Sequence, residues 1–188
     1  MKICITGGIG SGKSTVARIL RSQGEFVLSA DEINAELLTQ PEYQQKLKKL
    51  FPSAVRCGRV NRRAIRNEIS TDAQKRQALN DLSHGEIFAR IQAKTAQVSL
   101  AFVEVPLLNV QHKDQFDLVW YVDCNDTERV RRIAQRDGTT EDEARAIMAA
   151  QADYACIKEY AAAIIHTDKV SDLEAEIKGL LKEVKAKL

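Results

Sequence analysis

Hydrophobic residues in this chain form two kinds of pattern: short continuous apolar runs, and longer stretches in which apolar residues recur every three or four positions. The continuous runs predict five strands, at residues 2–6, 26–28, 100–105, 118–122 and 161–165. The helical spacing predicts helices at residues 13–23, 32–38 and 41–51, throughout 61–100, and in three further stretches that begin near Asp126, Thr140 and Ser171. Strands that alternate with helices in this way favour one α/β domain, with a parallel five-stranded sheet and helices on both faces.

Polar residues at the predicted helix ends refine these bounds. The segment Thr71–Gln74 has the composition of a capping box inside the long helical stretch, and Thr140 with Glu143 forms a second one. Asp126 is predicted to cap the helix that follows the fourth strand. Residues 52–58 are predicted to form a loop.

The stretch from Gly7 to Ser14 fits the pattern G-x-x-x-x-G-K-[ST] and stands between the first predicted strand and the first predicted helix. Glycines let the backbone of such a loop bend so that successive N–H groups point at a bound anion. Lys13 supplies a positive charge for the β- and γ-phosphates, and the Ser14 hydroxyl suits a Mg²⁺ ligand. A glycine-rich turn before an ordinary helix is the alternative. A chance match to the pattern, however, rarely has both a strand before it and a helix after it. The pattern therefore predicts a nucleoside triphosphate site.

The charge, the cysteine spacing and the length of the apolar runs limit the binding partners, metal sites and cellular locations that we expect. The 28 basic and 26 acidic side chains give a net charge of +2, which offers no argument for nucleic acid as the main partner. The four cysteines are far apart, with no C-x-x-C spacing and no neighbouring histidine pair, so neither a zinc site nor a redox motif is indicated. No apolar run has the length of a membrane span, and no signal-type segment opens the sequence. We therefore expect a cytoplasmic protein with free thiols, either a monomer or a weak homo-oligomer.

A phosphate loop does not by itself decide the reaction. The guanine-specific string N-K-x-D and the switch string D-x-x-G of GTPases are absent from the sequence, which favours a small-molecule kinase. Such a kinase needs a carboxylate that orients or deprotonates the acceptor hydroxyl, and arginines that neutralise charge in the transition state. Asp31 follows the second predicted strand, at the sheet edge where ligands bind in open α/β folds. It is equally suited to cap the next helix, and spacing alone leaves the two roles even.

Three arginines, Arg129, Arg132 and Arg136, fall at helical spacing and hence on one face of the helix predicted after Asp126. This face suits a lid that closes over the phosphates and excludes water. A solvated face with acidic neighbours is the alternative, and it is the commoner arrangement. His84 suits contact with an anionic acceptor, although a lone histidine more often has a structural role.

Further strings extend over nearly the whole chain. The most specific are T-G-G-I-G-S-G-K-S-T at residues 6–15, the A-D pair that ends at Asp31, and P-L-L at residues 106–108. Weaker matches follow in order at Asn61, Arg62, Ile65, Ile69, His84, Ile87, Arg132, Arg136, Asp137 and Gln151. Together these residues resemble the dephospho-coenzyme A kinase family.

The resemblance implies ATP-dependent phosphorylation of the ribose 3′-hydroxyl of dephospho-coenzyme A, the last step of coenzyme A synthesis, with Mg²⁺. It implies catalytic roles for Asp31, Lys13 and Arg136, and acceptor contacts for Arg62 and His84. Contacts with ATP are implied for Gly8, Gly10, Ser11, Gly12, Lys13, Ser14, Thr15 and Arg132, with Ser14 as the metal ligand.

The resemblance also implies three parts within a single P-loop kinase domain. These are a nucleotide core at residues 1–38, 100–128 and 152–188, a helical acceptor-binding insertion at 39–99 and a lid at 129–151. Two alternatives remain open: a kinase of the same fold for another nucleotide or small molecule, and a nucleotide-binding module without turnover.

Several positions depart from the family's strings. Ser29 stands where the family's D-A-D has its first Asp, and Gly85 follows His84 where Pro is usual. Near the C-terminus the family's A-D-x-V-I-x-N-x-G becomes A-A-A-I-I-H-T-D-K, in which Thr167 replaces the Asn and Lys169 the Gly. Contacts with the adenine of ATP are therefore expected from the backbone or from Thr167.

Overall fold

The computed structural model describes residues 1–56, 58–168 and 172–188, without the side chains of residues 152 and 153. The described chain divides into two compact units. The sheet unit comprises Met1–Ser29 and Gln97–Leu188, and the helical unit comprises Ala30–Ala96. No helix in the described ranges combines the length and the apolar character that crossing a bilayer requires.

The elements follow the alternation that the apolar runs predict. In chain order they are β1 (Lys2–Thr6), α1 (Lys13–Ser22), β2 (Phe26–Ser29), α2 (Ala30–Leu37), α3 (Pro41–Leu50), β3 (Val55–Arg56), β4 (Arg59–Val60), α4 (Arg62–Thr71), α5 (Ala73–Thr95), β5 (Ala101–Glu104), β6 (Leu118–Asp123), α6 (Asp126–Asp137), α7 (Glu141–Ala149), β7 (Ala163–His166) and α8 (Leu173–Lys185). Two 3₁₀ segments, Val110–Gln115 and Ala152–Tyr160, were not predicted.

The sheet unit contains a parallel five-stranded sheet with the strand order β2-β5-β1-β6-β7, which confirms the predicted fold class. Its central strand is β1, where Ile3 aligns with Phe102 on one side and with Leu118 on the other. The chain forms β2 and β5 on one side of β1, and β6 and β7 on the other side. The strand order therefore switches direction at β1, and in open α/β folds ligands bind beside the carboxyl ends of the strands at that point. The loop after β1 lies there.

One hydrophobic core joins the sheet to α1 and α8. The rings of Phe102 and Trp120, on β5 and β6, lie 5.2 Å apart between their centroids. The buried members of this core are Ile3, Ile5, Val16, Ile19, Leu20, Leu100, Phe102, Trp120, Val122, Ile165, Leu173, Ile177, Leu181 and Val184. The apolar residues of α8 thus lie in this core, whereas Ser171, near which this helix was predicted to begin, lies outside the described residues.

A smaller core formed by Val130, Ile133 and Ala144 holds α6 against α7. The capping box at the start of α7 is confirmed, since the Glu143 N–H donates to Thr140 Oγ1 at 3.3 Å and the Thr140 N–H donates to Glu143 Oε2 at 2.8 Å. The predicted cap of α6 is wrong by one residue. The side-chain oxygen Oδ1 of Asn125, rather than the Asp126 carboxylate, accepts from the Glu128 N–H at 2.9 Å.

The helical unit is built around α5, which packs against α2, α3 and α4. The long helical stretch is interrupted at Asp72, whose carboxylate accepts from the Lys75 N–H at 3.0 Å and so caps α5 in place of Thr71. The predicted loop at 52–58 is also partly wrong. It contains one strand of the hairpin β3–β4, in which Arg56 stands opposite Arg59.

Candidate active site

The phosphate loop joins the central strand β1 to α1, so the strand, loop and helix that the motif requires are present. Its glycines are required by close backbone packing. A Cβ on Gly7, whose φ is +151°, would lie 2.2 Å from the Val122 carbonyl oxygen. Gly12 caps α1 with a φ of +95°, in the left-handed region that side chains other than glycine rarely adopt. The N-terminus of α1 therefore presents N–H groups and a positive dipole end suited to phosphate.

Lys13 and Ser14 begin α1 with their side chains engaged in the loop and at the sheet edge. Lys13 Nζ donates to the carbonyl oxygens of Gly7, at 2.8 Å, and Gly8, at 3.0 Å. The Ser14 hydroxyl donates to Glu104 Oε1 at 2.7 Å. Because Glu104 ends β5, it brings a carboxylate from the neighbouring strand to the loop.

The pair of Ser14 and Glu104 offers oxygen atoms of the kind that Mg²⁺ prefers. Within the described ranges, no group of three or more His, Cys, Asp or Glu side chains is placed to hold a metal ion. A Mg²⁺ site of the nucleotide kind uses one or two protein oxygens together with substrate phosphates and water. The sequence analysis singled out Ser14 but not Glu104, although its place at the end of a strand was a usable signal.

Arg132 lies along the outside of the loop. Its Nη1 donates to the hydroxyl of Thr167 at 2.9 Å and, at 3.4 Å, to the Gly10 carbonyl oxygen. Its Nη2 donates to the Thr167 carbonyl oxygen at 3.0 Å, and its Nε to Glu128 Oε1 at 2.8 Å. Hydrogen bonds from Arg131 and Arg132 hold the pKa of the Glu128 carboxyl at about 2.

Arg129 also contacts the loop, although the sequence analysis gave it no individual role. Its Nε donates to the Ile9 carbonyl oxygen at 3.0 Å, and its Nη1 pairs with Asp126 Oδ1 at 3.0 Å. The guanidinium packs so closely on Gly8 that a Cβ there would lie 2.3 Å from Nη2. Its side chain is only 17% exposed, so it forms part of the wall of the site.

Arg136, which the family resemblance implies as catalytic, has a different set of contacts. Its Nε and Nη2 donate to the two carboxylate oxygens of Asp137, at 2.7 and 2.8 Å. The side chain is 59% exposed. The structure therefore brings two of the three arginines on this helix face, Arg129 and Arg132, into contact with the loop, and pairs the third with its sequence neighbour.

Thr167 connects three parts of the sheet unit. Its hydroxyl donates to the Ser11 carbonyl oxygen at 2.5 Å and accepts from Arg132, and its own N–H donates to the Asp123 carbonyl oxygen at 3.0 Å. The residue is 3% exposed. We call the set of Thr167, Ser11 and Arg132 the Thr167 clasp. Because the hydroxyl makes its hydrogen bonds within the clasp, its main role is to hold the phosphate loop against β7 and α6.

The residues predicted to act on the acceptor lie in the helical unit. Asp31 is exposed and is the second residue of α2, which begins directly after β2. Since α2 starts at Ala30, Asp31 lies in the first turn rather than at the cap, and the capping alternative for it is wrong. Arg62 is the first residue of α4 and is exposed. On α5, the ring of His84 packs edge-to-face on Phe88, with 6.3 Å between centroids.

The family model and the curated relatives point to one family. The family model described as dephospho-CoA kinase matches residues 1–172. A dephospho-CoA kinase from Corynebacterium glutamicum is 33% identical, over 98% of this chain and 100% of the relative. Another from Thermus thermophilus is 35% identical, over 97% of this chain and 91% of the relative. A crystal structure from Thermus thermophilus, at 34% identity, superimposes with a TM-score of 0.82 over 97% of both chains. The chain belongs to the dephospho-CoA kinase family.

Proposed function

We propose that this protein transfers the γ-phosphoryl group of ATP to the ribose 3′-hydroxyl of dephospho-coenzyme A, which gives coenzyme A and ADP. The observation that carries the proposal is the complete phosphate loop, with Lys13 and Ser14 in position, in a chain of the dephospho-CoA kinase family. Phosphoryl transfer depends mainly on positioning and charge stabilisation, and this loop supplies groups for both.

The groups around the loop have separable roles in this proposal. Backbone N–H groups of the loop and of the first turn of α1 bind the β- and γ-phosphates, and Lys13 adds a point charge to them. Arg132 holds the loop from outside, while Arg129 lies beside Gly8 and faces the charge that develops during transfer. Ser14 and Glu104 would hold Mg²⁺, which neutralises phosphate charge when bound.

Asp31 is the residue that we propose to orient and deprotonate the 3′-hydroxyl. Its support is a carboxylate at the carboxyl end of β2, exposed to solvent in the first turn of α2, together with the resemblance of the Ala30-Asp31 pair to the family's A-D string. We further propose that Arg62 and His84 contact the acceptor, and that residues 129–151, which include α7 and the part of α6 from Arg129 onward, close over it as a lid. Arg136 stays a predicted catalytic residue whose pair with Asp137 would open during that closure.

A coupled assay of ADP release tests the reaction. With ATP, Mg²⁺ and dephospho-coenzyme A, we expect turnover that depends on the acceptor and disappears in Lys13→Ala. A panel of other nucleosides and nucleotides at equal concentration tests the acceptor. Binding of ATP without transfer to any acceptor would contradict the proposal and favour a nucleotide-binding module.

Asp31→Asn tests the base in the same assay. General-base catalysis contributes about 10²- to 10⁴-fold, so we expect kcat to fall by that order while the Kd for ATP, measured by calorimetry, stays within about twofold. Glu32→Gln, which changes the neighbouring exposed carboxylate of α2, is the matched control. Equal losses in both variants would contradict a catalytic role for Asp31.

A further inference from the structure

The hairpin β3–β4 of the helical unit borders a cavity of about 380 Å³. Arg56 and Arg59 line this cavity from the two strands, and Ser53 and Asn61 add polar groups to its wall. The volume lies within the range of small-molecule sites. Both arginines are exposed, so the cavity is open to a ligand from solvent.

Hydrogen bonds and burial hold the inner side of the hairpin in place. The Asn61 N–H donates to the Ala54 carbonyl oxygen at 2.7 Å. The buried side chain of Gln44, on α3, donates from Nε2 to the Gly58 carbonyl oxygen at 3.0 Å. Val55 is 8% exposed, and successive strand residues point to opposite faces. The arginine that follows it, and its cross-strand partner, are therefore presented outward by a fixed frame.

The charges around this cavity are unbalanced. Residues 51–71 contain five arginines and a single carboxylate, that of Glu68. This carboxylate already pairs with Lys75 Nζ at 2.6 Å. Within the ranges that the structure describes, the side chains of Arg56 and Arg59 form neither an ion pair nor a hydrogen bond. The cavity therefore has two positive charges that no group of the described chain neutralises.

The placement of these charges is unfavourable without a ligand. Arg56 stands directly opposite Arg59 in the antiparallel pair. Residues in that relation have Cβ atoms about 4.5 to 5.5 Å apart, and like charges there destabilise a sheet. Each guanidinium can bind one phosphate group through two parallel hydrogen bonds. Two neighbouring guanidiniums therefore match two linked phosphate groups, whose charge would remove the repulsion.

We propose that the arginine pair of the hairpin is a second phosphate-binding site, which takes a diphosphate group, either free pyrophosphate or the diphosphate of a nucleotide. The residues of this site all lie in the helical unit, whereas the phosphate loop belongs to the sheet unit. The site does not depend on the proposed reaction. It uses neither Arg62 nor His84, the residues that we propose to contact the acceptor.

Calorimetric titration of Lys13→Ala with pyrophosphate and, separately, with ADP tests the site, because this variant weakens binding at the phosphate loop. We expect saturable binding that survives the loss of Lys13, and the tighter of the two ligands identifies the source of the diphosphate. Adding Arg59→Gln should raise the Kd for that ligand by about 10- to 150-fold, the effect of losing a hydrogen bond between charged groups.

Arg66→Gln, added to Lys13→Ala instead, is the matched control. It removes the same charge from an exposed position of α4 that does not line the cavity. We expect the Kd to change by less than about threefold, since salt screens attraction between separated exposed charges. In the otherwise wild-type protein, Arg59→Gln should leave kcat and the KM for dephospho-coenzyme A unchanged.

Three results would overturn the proposal. The first is the absence of saturable binding to Lys13→Ala. The second is an equal loss from Arg59→Gln and Arg66→Gln, which would show diffuse attraction rather than a site. The third is a rise in the KM for dephospho-coenzyme A in Arg59→Gln that equals the rise in Kd, which would make the hairpin part of the acceptor site.

Two further measurements keep these outcomes distinct. Thermal melting without ligand checks folding, and if Arg59→Gln is unfolded, Arg56→Gln takes its place in every comparison. If the wild-type protein shows no turnover, the proposed function fails, and the two binding comparisons still decide whether the hairpin site exists.

Discussion

The Thr167 clasp gives a prediction that can be worked through from its geometry. Thr167→Val keeps the shape of the side chain and removes only the hydroxyl. That hydroxyl donates to the Ser11 carbonyl oxygen at 2.5 Å and accepts from Arg132 Nη1 at 2.9 Å, and both bonds are lost in the variant. The perturbation therefore acts on the support of the phosphate loop through these two bonds.

The expected magnitude follows from the two bonds. A neutral hydrogen bond contributes about 0.5 to 1.5 kcal/mol, and one to a charged group about 1.5 to 3 kcal/mol. Arg132 keeps its bonds to the Thr167 carbonyl oxygen and to Glu128, so it remains in place and the lower ends of these ranges apply. We expect the free energy of unfolding to fall by about 2 kcal/mol. Where that loss falls on the loop, the Kd for ATP rises by about tenfold or more.

Urea unfolding measures the first quantity, and calorimetric titration with ATP measures the second. Thr139→Val is the matched control, because the Thr139 hydroxyl is buried without a hydrogen-bond partner in the described part of the chain. The same substitution there should leave stability unchanged or slightly improved, and ATP binding intact. If Thr167→Val matches Thr139→Val in both measurements, the clasp does not support the loop.

Two further changes test the site. Glu104→Gln keeps a hydrogen-bond acceptor for Ser14 but removes the negative charge. The Mg²⁺ concentration that gives half of the maximal rate should therefore rise by about 10- to 100-fold. An unchanged Mg²⁺ dependence would exclude Glu104 from the Mg²⁺ site. Arg131 and Arg132 lower the pKa of Glu128 from 4.5 to about 2, so these ion pairs stabilise the fold above pH 4.5 and cease to do so as the pH falls through 2. Glu128→Gln should be less stable than the wild type at pH 7 by urea unfolding, and the difference should shrink towards pH 2; a constant difference would contradict this.

Local patterns predicted the fold class and the phosphate loop, because both depend on residues that are close in sequence. The errors at helix ends have the same local origin. Asn125 and Asp126 are both good caps, and only the backbone decides which side chain meets the free N–H groups. The hairpin at 55–60 has two strands of two residues each, too short for the alternation that identifies a strand.

Contacts between distant segments could not be predicted in this way. Thr167 lies 156 positions from Ser11, and no local pattern links them. Helical spacing places Arg129 and Arg136 on one face of α6, but their hydrogen-bond partners differ. Arg129 donates to the phosphate loop, whereas Arg136 pairs with the adjacent carboxylate of Asp137. The place of Glu104 near the end of a predicted strand pointed to the sheet edge, but its contact with Ser14 depends on the loop beside that strand, 90 positions away.

The central place of β1 affects how the chain is made. This strand is synthesised before its neighbours β5 and β6, which begin only at residues 101 and 118, and the threonine that supports Ser11 comes later still. Until these neighbours are made, β1 has unpaired backbone N–H and C=O groups along both of its edges. We expect nascent chains halted before residue 167 to be sensitive to protease at the loop and to depend on chaperones until the last strand arrives.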